Sequence, residues 1–152
     1  SYINASDAVT DVSYSDAGIT YTGMDGLTLG YGEGDVENVT NTKSNESTMF
    51  AKYAIGAATV GIQVSEKDME TGTDTESTGI GVSYQVNDDL TVSYGTNTLE
   101  SGTSPDQDST AVGISYTMGS LGISFSMNQV DNIANSGAND REAYQLGLSF
   151  AF

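Results

Sequence analysis

Three patterns predict an all-β protein, built as an antiparallel, up-and-down transmembrane β-barrel. Apolar and small polar residues alternate strictly over segments of about ten residues. Tight turns recur at a steady spacing, and aromatic residues repeat at fixed distances from those turns. Successive side chains of a strand point to opposite faces, so alternation marks two faces in different solvents.

The elements follow in order. "AGITYTG" (residues 17–23) passes through Met24-Asp25-Gly26 into "LTLGYGEG". "MFAKYAI" (49–55) turns at Gly56-Ala57-Ala58 into "TVGIQVS", and "GIGVSYQV" (79–86) turns at Asn87-Asp88-Asp89 into "LTVSYGTN". "AVGISYTM" (111–118) turns at Gly119-Ser120 into "LGISFSMNQV", and "AYQLGLSFAF" closes the chain alone. These turn residues are hairpin chemistry, and their spacing of roughly 32 residues is an internal repeat. The expectation is one segment over residues 1–152, with four hairpins and a final strand, nine strands in all. The other connections are longer and polar, at 34–46, 67–75, 101–108 and 131–140.

One face carries Ile19, Tyr21, Leu29, Ile62, Val82 and Ile114, among many like them; the other carries Thr20, Gly30, Gln63, Gly81 and Ser115. A soluble sheet would need a second apolar layer over its first face, and nothing helical supplies one. Soluble outer faces also carry Lys, Glu and Arg, whereas this polar face is almost wholly Gly, Ser, Thr, Gln and Asn. Lipid outside and water inside accounts for both. Tyr21, Tyr53, Tyr84 and Tyr116 fall about three residues before a short turn, as an interfacial girdle does. Tyr31, Tyr94 and Phe125 form a second level, about five residues past a turn.

Charge and composition exclude other classes. The 152 residues hold 21 acidic and four basic side chains, a net −17, which repels nucleic acid. There is no Cys and no His, so thiolate sites and Ser-His-Asp chemistry are absent and no catalytic constellation assembles. No apolar run is long enough for a transmembrane helix. No signal peptide opens the chain, so Ser1 reads as a mature terminus or as a cut inside a longer protein. The loop "EKDMETGTDTE" gathers Asp68, Glu70, Asp74 and Glu76, oxygen ligands of the kind Ca²⁺ takes; an acidic, solvated loop is the competing account. Parity puts Lys52, Gln63, Gln85, Arg141 and Gln145 on the polar face as pore-lining candidates, with Lys67 continuing it. The excess of acids predicts cation preference.

"AGITYTGMDGLTLGYGEG", the strand–turn–strand cadence and the terminal "YQLGLSFAF" resemble the general diffusion porins of Gram-negative outer membranes, the alphaproteobacterial type most. The resemblance implies a channel for passive diffusion of ions and small hydrophilic solutes, without a cofactor. It implies contact with bilayer and lipopolysaccharide, a homotrimer, and Phe152 as the signal read by the barrel-assembly machinery. Such porins have sixteen strands, so nine imply the C-terminal half of one, with the constriction loop upstream. Basic wall residues face that loop in the family, a role for which Lys52 and Arg141 are the candidates. The alternative is a secreted, acidic β-rich structural subunit whose open edges pair between copies into a fibre or surface layer.

Overall fold

A computed structural model describes residues 3–6, 13–37 and 43–150. They form one sheet of ten strands, each paired antiparallel with its neighbours in the chain. The strands are β1 (Ile3–Ser6), β2 (Ser13–Met24), β3 (Leu27–Glu37), β4 (Lys43–Ile55) and β5 (Ala58–Met69). They continue as β6 (Thr75–Gln85), β7 (Leu90–Ser101), β8 (Gln107–Met118), β9 (Leu121–Asp131) and β10 (Arg141–Phe150). A single turn of 3₁₀ helix, Ile133–Asn135, interrupts the connection between β9 and β10.

Two expectations need correction. The nine strands are present, but a tenth precedes them: Ile3–Ser6 pairs with Ser13–Asp16 of β2. "INAS" has no alternation to mark it, and only pairing with the next strand makes it one. The loops are also shorter than the polar stretches suggested. β5 runs on to Met69 and β6 begins at Thr75, while β7 ends at Ser101 and β8 begins at Gln107. Backbone pairing continues there although both faces have become polar.

The turns follow from local chemistry. Gly26 has φ of 74°, a left-handed conformation that costs a side-chain-bearing residue about 1–2 kcal/mol, and a Cβ there would run into the Ala54 carbonyl oxygen. At the β6–β7 turn the Asn87 side-chain oxygen accepts the amides of Asp89 and Leu90, each at 2.9 Å.

Among the described residues no hydrophobic side chain is buried. Ile19 is 71% and Leu146 69% exposed, so no second layer covers the apolar face. The described strands therefore do not pack on one another as a sandwich. On the opposite face, residues from β4 to β9 (Lys52 to Ser126) border one trough of about 480 Å³, so the sheet curves with its small-polar side concave.

The register fixes the tilt. Tyr21 lies opposite Leu29, which lies opposite Ala51; Tyr53 is two residues further along β4. Tyr53 connects through Val60 to Val82, two residues short of Tyr84. Tyr84 connects through Val92 to Ile114, two short of Tyr116. Tyr116 connects through Ile123 to Leu148, two short of Phe150. Each hairpin therefore shifts the aromatic by two residues along the strand while moving two strands across. With usual rises and spacings, those shifts lie at one depth only if the strands tilt by roughly 35°, the tilt of membrane barrels. Tyr31, Tyr94 and Phe125 descend the same staircase. Phe150 is thus a fifth member of the first girdle.

Candidate functional site

The concave wall is assembled row by row. One row across the sheet reads Thr28, Lys52, Gly61, Gly81, Gly95, Ala111, Asn128 and Ala143. Three successive glycines leave a bare floor beside the Lys52 side chain. A recess of about 420 Å³ opens there, bordered by Phe50, Lys52, Gln63, Ser77 and Asn97. Neutral side chains hold one another in place: Thr48 donates to the Ser65 hydroxyl at 3.0 Å, Gln63 donates to the same hydroxyl at 3.2 Å, and Asn97 donates to Ser77 at 2.8 Å. This wall can hydrogen-bond solutes and water along its length, and it presents no nucleophile–base pair.

The sequence-derived pore residues fall on this face. Gln63 lies beside the recess, Gln145 lies opposite Ser126, and Gln85 lies opposite Thr91 at the short-turn rim. Arg141 lies opposite Val130 at the loop end of β10, and Lys67 pairs with Glu46 at 2.5 Å. Tyr21, Tyr53, Tyr84 and Tyr116 are all exposed on the convex face. Phe50 escaped the sequence reading. It stands on the polar face with its ring over Gly30, where any Cβ would collide with it. Its signal was available, since Phe50 is one residue out of phase with Met49 and Tyr53 on β4. Phe152 lies outside the described residues.

The four carboxylates considered for Ca²⁺ do not converge, and no group of three or more possible ligands occurs among the described residues. Glu70 accepts the Lys43 amide at 3.2 Å, and Asp74 accepts the Met69 amide at 2.8 Å. Asp68 and Glu76 face outward on different strands, Glu76 lying opposite Glu66. Closeness in sequence placed these groups in one hairpin, where Asp74 caps the turn and Glu70 bonds the start of the neighbouring strand β4.

Charge is segregated by face. On the convex face β3–β10 carry Glu33, Asp35, Glu37, Glu66, Asp68, Glu76, Glu100, Asp108, Asp131 and Glu142, with Lys43 the one cation among the described strand residues. All ten carboxylates lie beyond the apolar belt toward the loop end. Among the described strand residues, the concave face carries two carboxylates, Asp16 and Glu46, and three cations, Lys52, Lys67 and Arg141.

A tilted sheet with an apolar outer belt, aromatic girdles and a polar concave wall is the architecture of an outer-membrane barrel. The Gram-negative porin family matches residues 2–152. The chain belongs to that family. Among solved structures, this porin chain is similar to the outer-membrane expressed OmpT of Vibrio cholerae, with TM-score 0.65 and 17% identity over 92% of this chain and 56% of that one. A loop L8 deletion mutant of the same protein gives TM-score 0.63 and 18% identity, covering 91% and 53%. The KdgM porin gives TM-score 0.54 and 12% identity, covering 99% and 89%. The chain spans about half the length of the Vibrio cholerae structures. No curated protein sequence matches it. Its place is the bacterial outer membrane, with the apolar belt against lipid.

Proposed function

We propose that this chain forms part of the wall of a water-filled channel through which ions and small hydrophilic solutes diffuse passively. The observation that carries it is the concave face, lined with Gly, Ser, Thr, Gln and Asn and backed by a belt exposed to lipid. A packed lumen would need large side chains at those positions. In this reading the chain is the C-terminal part of a larger porin barrel of the alphaproteobacterial, sixteen-strand kind. The partial span of the Vibrio cholerae structures supports it. A homotrimer, contact with lipopolysaccharide and use of Phe152 in assembly belong to the same reading, on family likeness alone. It involves no enzymatic step and requires no cofactor. The cation preference expected from net charge is a separate matter, because net charge counts carboxylates on both faces.

Liposome swelling with the native protein tests the channel. Small neutral sugars should cause rapid swelling, with rates falling as sugar size increases. Vesicles that swell no faster than protein-free controls would exclude diffusion through this wall.

A further inference from the structure

A permeating ion meets the wall, whereas net charge counts every carboxylate wherever it sits. The ten strand carboxylates of the convex face lie on the far side of the sheet from the wall, beyond the apolar belt. Mobile ions screen such groups over about 8 Å at physiological ionic strength, so the lumen feels them weakly. On the wall itself Lys67 and Glu46 neutralise each other as an ion pair, which leaves Asp16 against Lys52 and Arg141 among the described strand residues. Lys52 and Arg141 have no ion-pair partner among the described residues.

Lys52 is the better placed of the two. It neighbours Tyr53, so it lies inside the lipid-embedded span at the level of the first girdle. Gly61 and Gly81 continue its row and offer neither cover nor counter-charge. The recess beside it is bordered by Gln63, Ser77 and Asn97, neutral groups that can hydrogen-bond an anion without repelling it.

We propose that this wall favours anions over cations, and that Lys52 on its glycine floor is the residue that recruits them. This rests on the channel reading, and it reverses the preference that net charge suggests. The solutes favoured are small ones bearing carboxylate, phosphate or halide charge. Arg141 adds to the same field at the loop end of β10.

The test is the reversal potential of the native protein in planar bilayers under a KCl gradient, with folding verified by heat-modifiable migration on gels. The wild-type channel should pass chloride in preference to potassium. Lys52→Glu should lower the chloride-to-potassium ratio by about two-fold or more, and Lys52→Gln should fall between. Replacing the outward pair Glu76→Gln and Glu100→Gln should leave the ratio unchanged. A conducting channel that prefers potassium, or whose ratio ignores Lys52 while following Glu76 and Glu100, overturns the inference and leaves the channel standing. A protein that inserts without conductance removes the channel reading and the inference together.

Discussion

The turn-side and loop-side halves of the same strands obey different rules. On the turn side, β8 carries Ile114, Tyr116 and Met118 outward and Gly113, Ser115 and Thr117 inward. On the loop side its outward residues are Asp108 and Thr110, and its inward residues are Gln107 and Ser109. The hydrogen-bonded ladder is the same throughout. Hydrocarbon demands that every backbone group be paired and that outward side chains be apolar. Beyond the hydrocarbon only the ladder persists, and the outward face becomes acidic. Glu66 lies opposite Glu76, and Glu76 opposite Glu100, a run of like charges that only water and ions make tolerable.

The comparison can be broken most strongly within the apolar belt. Ile114→Lys puts a cation on the lipid face and should destabilise the folded barrel by at most about 2–4 kcal/mol. Ser115→Lys, one residue on, faces the water-filled side and should change stability by less than about 0.5 kcal/mol. Urea unfolding in lipid vesicles measures both, and equal costs would mean the two faces share one solvent. The smallest effect belongs to the loop side. Lys67→Met removes the ion pair to Glu46, and because both side chains are exposed, the loss should be about 0.2–1 kcal/mol and should fade at high salt. A larger loss that salt does not alter would place that pair in a far drier setting than the structure shows.

Much of this was legible in the sequence, for a physical reason. Where lipid and water lie on opposite faces, a period of two is forced on every strand, so residues such as Val82 and Ser83 declare their sides. The girdle tyrosines were legible through their constant distance from the turns. Their staircase was not, because tilt resides in the pairing register between strands. The loop-side extensions, such as Glu66–Met69 of β5, were hidden for the converse reason: with water on both faces, no alternation is imposed. β1 was hidden by its shortness. Asp68, Glu70, Asp74 and Glu76 are close in sequence, but in space Asp68 and Glu76 sit on different strands, Asp74 caps its own turn and Glu70 bonds the Lys43 amide of β4. Net charge could not say which carboxylates face the concave wall, since composition carries no face.

The central claim is that the convex face meets lipid and the concave face meets water. The chain has no cysteine, so single-cysteine variants report one position at a time. Val92, Ser93, Ile114 and Ser115, each replaced by Cys in turn, should be treated in vesicles with a small membrane-impermeant thiol reagent. Cysteines at 93 and 115 should react, while those at 92 and 114 should stay protected until the bilayer is dissolved. Equal reaction at all four positions, or protection at 93 and 115 instead, would contradict the assignment of the two faces.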